Sequence, residues 1–123
     1  MKLTEAEEQL MEMIWDQGNI FMKDIIESYP EPKPAVTTIA TLLKRMQNKG
    51  FVGYKLMGNS RQYYPLVEKA AYFSKQVNGL IKNFFGSSAM QFASFFTTET
   101  DLSAAELEEL KQIIDNQIKR KKQ

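Results

Sequence analysis

The most informative stretch of the sequence is residues 34–66, which read PAVTTIATLLKRMQNKGFVGYKLMGNSRQYYPL. Pro34 suits the first position of a helix, apolar residues then recur at helical spacing, and Gly50 is typical of the residue that follows a helix end. We therefore predict a helix over about Ala35–Lys49. Its predicted apolar stripe consists of Val36, Ile39, Leu42, Leu43 and Met46.

The other face of this helix is polar and basic and has no acidic member. It carries Thr37, Thr38, Thr41, Lys44, Arg45 and Asn48. A solvated helix face usually mixes acidic with basic side chains, so the missing acids are informative. Hydroxyl and amide groups can bind base edges or phosphates, and Lys and Arg neutralise phosphates. We predict that this face contacts DNA through Thr37, Thr38, Thr41, Lys44 and Arg45.

Two runs rich in aromatic and β-favouring residues follow, at Phe51–Met57 and Arg61–Leu66. Gly58-Asn59 between them is a typical two-residue hairpin turn, so we predict a small β-ribbon. Lys55 before the turn and Arg61 after it make both sides of the ribbon tip positive. We predict that these two side chains contact DNA phosphates.

Two helices are predicted upstream of this stretch. Thr4 and Glu7 match a capping box, which starts a helix over about Thr4–Asp16. A short helix follows from Met22 to about Tyr29, and the proline-rich connector 30–34 ends it. Two lone aromatic residues, Trp15 and Tyr64, are expected to pack in the core.

Helical periodicity returns after Val67. It predicts a long helix ending near Gly86, a shorter helix capped by Ser87 or Ser88, and a last helix opened by the Ser103–Glu106 capping box. Six of the eight Phe lie here, more aromatic surface than short helices can readily bury alone. We predict a dimer interface made of Phe73, Val77, Leu80, Phe84, Leu107, Leu110, Ile114 and Ile118. The alternative is that the Phe side chains pack onto the N-terminal half of the same monomer.

Charge is distributed unevenly in this chain of net charge +1. Residues 1–30 hold two Lys and seven acidic residues, whereas residues 31–66 hold six Lys or Arg and only one acid, Glu31. Local fields rather than the total charge attract partners, so the second segment favours a polyanion as partner.

Composition excludes several classes of function. The 123 residues, 43% hydrophobic and 25% charged, suit one compact domain or two small ones. Because Cys and His are absent, the common nucleophilic pairs and the thiolate and imidazole metal sites are excluded. An enzyme would have to use carboxylates alone, and we expect no catalytic site, metal or cofactor. No apolar run reaches the roughly 18 residues of a membrane span, so we expect a cytoplasmic protein without membrane insertion.

The order of the predicted elements is helix, short helix, basic helix and two-stranded ribbon, which is typical of a winged helix-turn-helix. We predict a mainly α fold with a small β-hairpin. Its parts are an N-terminal winged helix-turn-helix at residues 1–68 and a C-terminal helical dimerisation domain at residues 69–123. Such a domain can bind duplex DNA or serve as a protein-interaction adaptor without specific DNA binding, and the basic segment favours DNA.

Several segments also carry a family resemblance. They are Leu3-Thr4-Glu5-Ala6-Glu7 with Trp15, residues 37–46 closing on Lys49-Gly50, residues 64–67, Phe85-Gly86-Ser87, and Asp101-Leu102-Ser103 leading into residues 106–111. In order and spacing they resemble the penicillinase-repressor (BlaI/MecI/CopY) family. The resemblance implies a winged helix on a helical dimerisation domain, and a homodimer that represses transcription from a palindromic operator.

Two branches of that family bear on regulation. In the repressors of β-lactam resistance, a membrane sensor-protease system leads to cleavage at an Asn-Phe bond shortly before the Asp-Leu-Ser segment. That position is Phe95-Phe96 here, so the Phe matches and the Asn does not. Regulatory cleavage at Phe95-Phe96 and a sensor-protease partner therefore stay open. The copper-responsive branch uses a C-terminal cysteine motif, which a chain without Cys lacks.

Overall fold

The computed structural model describes residues 2–123, which form six helices and three strands. The helices are α1 (Glu5–Gln17), α2 (Met22–Ser28), α3 (Val36–Asn48), α4 (Lys69–Phe84), α5 (Ala89–Glu99) and α6 (Ala104–Lys121). The strands are β1 (Ile20–Phe21), β2 (Val52–Met57) and β3 (Ser60–Pro65). The chain divides into two compact units, one ending at Ser74 and the other beginning at Lys75.

The first helix begins with the predicted capping box. The Thr4 amide donates to Glu7 Oε1 at 2.8 Å, and the Glu7 amide donates to Thr4 Oγ1 at 3.2 Å. Gly18, with φ +80°, follows the last residue of α1. The three predicted N-terminal helices are therefore confirmed to within one or two residues at each end.

The ribbon is also confirmed, but it belongs to a three-stranded antiparallel sheet of order β1-β3-β2. Met57 pairs with Ser60, so Gly58-Asn59 forms the predicted two-residue turn. The extra strand β1 pairs Ile20 with Tyr63. Two residues are too few to show the alternation that identifies a strand, so the sequence did not predict β1.

A single hydrophobic core lies in the first unit, where α1 packs against α2, α3 and β3. Its fully buried apolar side chains are Leu10, Met11, Ile14, Ile20, Ile25, Ile39, Leu43, Met46 and Val52. The predicted α3 stripe is buried except for Val36, which is 52% exposed. Val36 belongs to the predicted stripe but is exposed, because this first residue of α3 lies at the flank of the stripe and beyond the packed turns.

Aromatic side chains pack the start of α4 against α1. Tyr72 is buried, with its ring centroid 5.8 Å from that of Trp15 and 5.5 Å from that of Phe51. The indole nitrogen of Trp15 donates to the Val67 carbonyl at 2.8 Å. Trp15 packs against the core as predicted, and Tyr64 is half-buried over Gly53, where an added Cβ would lie 2.8 Å from the ring.

One charged side chain is fully buried in the described chain. Glu7 is 0% exposed, and its Oε1 accepts from Lys49 Nζ at 2.6 Å. Burial opposes ionisation of Glu7, but Lys49 and the Thr4 donors outweigh it and hold the pKa of the Glu7 carboxyl below its ordinary value. The folded state therefore favours the ionised form.

This pKa shift predicts an acid-sensitive stability. The stability that ionised Glu7 contributes is present above its ordinary pKa of 4.5 and is lost as the pH falls through the lower folded value. Glu7→Gln should lower the free energy of unfolding at pH 7 by about 1–3 kcal/mol and flatten its acid dependence. Urea titrations between pH 3 and pH 7 measure both. The control Glu5→Gln, at an exposed position of the same helix turn, should keep the wild-type profile, and an equal flattening there would contradict the assignment to Glu7.

Candidate nucleic-acid interface

The outward face of α3 carries the five DNA-binding residues predicted for this helix, and each is exposed. Helical spacing places Thr37, Thr41 and Lys44 on one central line, which Asn48 continues. Thr38 and Arg45 lie on one flank of this line, and Ala40 and Gln47 lie on the other. The Thr41 hydroxyl donates to the Thr37 carbonyl at 2.9 Å, which leaves its oxygen as an acceptor towards the surface.

Two of the six cations in the basic segment bind within the fold. Lys33 Nζ donates to the Ile26, Glu27 and Tyr29 carbonyls at 3.1, 3.3 and 2.7 Å, which satisfies the C-terminal end of α2. Lys49 pairs with buried Glu7. The other four cations are those predicted to bind DNA, and none forms an ion pair within residues 2–123; they are Lys44, Arg45, Lys55 and Arg61.

The register of the ribbon separates its two cations. Arg61 pairs with Leu56 and Lys55 pairs with Gln62, so Arg61 and Lys55 lie on opposite faces of the sheet. The Arg61 guanidinium lies 4.2 Å from the centroid of the Tyr54 ring, a cation–π contact that holds the side chain over the ribbon. The sequence analysis placed both cations near the turn but did not assign them to opposite faces of the sheet.

A groove of about 430 Å³ runs between α3 and the Arg61 face of the ribbon. It is lined by Ala40, Lys44, Gln47, Asn48, Tyr54, Arg61 and Tyr63. Lys44 and Arg61 therefore meet at one groove that has no acidic side chain, whereas Lys55 does not line it. Sequence reasoning missed Gln47, Asn48 and Tyr54 as members of the site. Asn48 follows Lys44 by one helical turn, so helical spacing alone could have placed it in the site. The position of Tyr54 depends instead on the strand register.

The second unit, residues 75–123, has no buried side chain although it is rich in large apolar residues. Phe84 is 75% exposed, and Ile114 and Ile118 are 51% and 46% exposed. Leu110 differs, because it is half-buried and lines a small cleft with Phe96 and Ile113 of the same chain. The remaining predicted interface residues are also exposed. They are Phe73 of the first unit and Val77, Leu80 and Leu107 of the second unit.

The pair Phe95-Phe96 lies inside α5 and belongs to an aromatic cluster of the second unit. The ring of Phe85 contacts those of Phe92 and Phe95 at centroid distances of 5.5 and 5.4 Å, and Phe96 stacks on Phe92 at 6.2 Å. Both residues of the pair are exposed along part of their surface, 48% for Phe95 and 37% for Phe96.

No helix among residues 2–123 is long and apolar enough to cross a membrane. No group of three or more acidic side chains among them is arranged to hold a metal ion.

A helix with a basic outer face, packed on α1 and followed by a ribbon that carries further cations, is typical of a winged-helix DNA-binding regulator. The sequence profile of the family described as "Penicillinase repressor" matches residues 3–116. The chain belongs to this family, whose members are DNA-binding transcriptional repressors rather than enzymes.

Two relatives span nearly the whole chain. The methicillin resistance regulatory protein MecI of Staphylococcus aureus is 30% identical over 115 residues, which cover 93% of this chain and 94% of the relative. The penicillinase repressor of Bacillus licheniformis is 24% identical over 123 residues, which cover 99% of this chain and 96% of the relative. Among solved structures, wild-type MarR from E. coli in its apo form aligns with a TM-score of 0.49 at 16% identity, over 93% of this chain and 76% of MarR.

The groove predicts a measurable role for Arg61. Arg61→Ala should weaken binding to any DNA duplex and lower the slope of log affinity against log salt by about one, because one phosphate contact is lost. Fluorescence anisotropy at several salt concentrations measures both quantities. Lys82→Ala removes the same charge from an exposed position in α4 and serves as the control. An equal slope for Arg61→Ala and wild type would remove Arg61 from the interface.

Proposed function

We propose that this protein is a homodimeric transcriptional repressor that binds a palindromic operator. Residues 1–68 contact the DNA and residues 69–123 form the dimer. The observation that carries the proposal is the acid-free outward face of α3, which meets Arg61 of the ribbon at one groove. A helix fills a major groove, and a ribbon of this size reaches the neighbouring phosphates.

The proposed roles follow from the position of each side chain. Thr37 and Thr41 lie on the central line of α3, where hydroxyl groups reach base edges. Thr38, Lys44 and Arg45 lie beside them, and the two cations bind phosphates or guanine. Arg61 binds phosphate from the groove side of the ribbon, and Lys55 binds phosphate from the other face. Each copy then presents four cations that form no internal ion pair to a polyanion.

The exposed apolar residues of the second unit support the dimer. Ten large apolar side chains between Val77 and Ile118 are exposed, and a monomer rarely leaves so many uncovered together. A second copy covers them by offering the same surface in return. Two α3 helices then reach successive turns of one DNA face, about 34–36 Å apart, which explains why the operator is palindromic.

Cleavage of the Phe95-Phe96 bond by a sensor-protease system requires that α5 first opens locally. Proteases take an extended segment, and the Phe95-Phe96 bond lies within the helix. Local opening of α5 is feasible, because none of its side chains is buried and the hydroxyls of Thr97 and Thr98 bond back to carbonyls four residues earlier, at 2.8 and 2.7 Å. Limited proteolysis followed by mass spectrometry would show whether this bond is accessible.

The test of the proposed function is binding of the purified protein to DNA upstream of its own gene, with scrambled duplex as competitor. A repressor should prefer one site by about 4–10 kcal/mol and protect a two-fold symmetric footprint. Equal, salt-labile binding to both duplexes would instead support the protein-interaction adaptor.

The proposed dimer interface can be tested by its effect on oligomeric state and on operator affinity. Ile114→Asp should dissociate the dimer and weaken operator binding at least about tenfold without touching DNA, because a buried unpaired charge at an interface is strongly unfavourable. Sedimentation gives the oligomeric state and anisotropy gives the affinity. Gln112→Asp adds the same charge at an exposed polar position of α6 and should leave both unchanged. A dimeric Ile114→Asp variant with normal affinity would refute this interface.

A further inference from the structure

The C-terminal end of α3 is fixed by a buried polar contact that does not face the proposed DNA surface. Lys49, the residue that caps α3, donates to Glu7 Oε1 at 2.6 Å and to the Lys2 carbonyl at 3.3 Å. The Lys49 side chain is only 26% exposed and that of Glu7 is 0% exposed. The last turn of α3, with Arg45 and Asn48, is thereby tied to the start of α1.

Glu7 is itself held in place at both its backbone and its side chain. Its Oε1 accepts from the Thr4 amide and its own amide donates to Thr4 Oγ1, so the capping box leaves the carboxylate little freedom. Its Oε2 has no hydrogen-bond partner among the described residues. The fold therefore buries this carboxylate with a single charged partner, Lys49, rather than in a fully satisfied network.

A second contact fixes the segment that carries the Lys2 carbonyl and the Thr4 cap. The Tyr72 hydroxyl accepts from the Leu3 amide at 3.1 Å and donates to Glu8 Oε2 at 2.9 Å. Burial raises the pKa of Tyr72, the Leu3 amide opposes this effect, and the Glu8 carboxylate adds to it, so the hydroxyl keeps its proton for that donation. Tyr72 thus anchors the segment that anchors Lys49.

We infer that Glu7 and Lys49 are positioning residues for DNA recognition, which set the orientation of α3 without contacting DNA. The inference rests on the proposed function. Buried ion pairs contribute little net stability, and apolar side chains of similar volume often replace them without loss. A directional contact such as Lys49 to Glu7 nevertheless permits fewer orientations than apolar packing does. The base contacts of α3 require side chains in fixed positions, whereas attraction to phosphates does not.

This role differs in measurable ways from two simpler ones. A lysine that contacts phosphate contributes to the salt dependence of binding to every duplex. A lysine that only stabilises the fold changes the unfolding free energy and leaves the affinity of folded protein unchanged. A positioning lysine lowers the preference for the specific site, while the salt slope and the affinity for unrelated DNA stay the same.

The experiment uses the full-length chain and a duplex that wild-type protein selects from a random library, with a scrambled duplex for comparison. The variants are Glu7→Gln, Lys49→Met and the double variant Glu7→Leu with Lys49→Met. Lys44→Met removes an exposed cation from the same helix and is the matched control. Anisotropy at several salt concentrations gives affinity and slope, and urea titration gives stability.

We expect Lys49→Met and the double variant to lower the ratio of specific to scrambled affinity by about tenfold, the size of one lost base contact, with the wild-type salt slope. The double variant should regain stability but not selectivity. Lys44→Met should instead weaken binding to both duplexes and lower the slope by about one.

Two results would overturn the inference: a wild-type ratio in a folded double variant, or a reduced slope in Lys49→Met. If neither Lys49 variant folds, Glu7→Gln decides, because it keeps the volume and the hydrogen-bond acceptor but removes the charge. A wild-type ratio in that variant then refutes the role. If wild-type protein selects no sequence at all, the proposed function fails, which is a separate outcome.

Discussion

Packing of α3 on α1 is the contact on which the rest of the first unit depends. Ile39, Leu43 and Met46 of α3 are buried with Leu10 and Ile14 of α1 in one core. Fully burying one such side chain contributes about 1.5–3 kcal/mol, so turning α3 away from α1 is prohibitively unfavourable. Because α3 has a single apolar stripe, burying it turns the polar and basic face outward. The candidate DNA surface is therefore a consequence of the core.

Local signals made most of this unit predictable from sequence. The Thr4–Glu7 capping box and the Gly58-Asn59 turn act within four residues, so their outcome does not depend on distant partners. Strand β1 was not predictable, because it exists only where β3 offers hydrogen bonds to it. The opposite facing of Lys55 and Arg61 was missed for a different reason. The predicted two-residue turn already implied the register that pairs Leu56 with Arg61, but the faces of the ribbon were not assigned from it.

Counting charges identified the basic segment but could not assign its members. The positive charge of this segment includes Lys33 and Lys49 as well as Lys44 and Arg61. Lys33 and Lys49, however, bind partners within the fold. Lys33 binds backbone carbonyls, and Lys49 binds a buried carboxylate that is distant in sequence. No local sequence pattern predicts either contact. The exposed apolar stripes of the second unit show the reverse case. Their periodicity was clear from the sequence, but the second unit itself leaves these side chains exposed, so the stability of this unit should depend on protein concentration in the proposed dimer.

In the proposed complex, attraction and selectivity have separate structural origins. The four cations without internal ion pairs provide the proposed attraction to any duplex, an effect that falls with salt whatever the sequence. Selectivity needs the central line of α3 to meet base edges within tenths of an ångström, so it depends on how rigidly α3 is held. The charge of Lys49 is compensated by buried Glu7, and the contacts of Lys49 with Glu7 and the Lys2 carbonyl restrain the helix end beside Asn48. An acidic residue buried next to a DNA-binding helix is therefore compatible with binding a polyanion, because its charge is compensated within the fold and its effect is geometric.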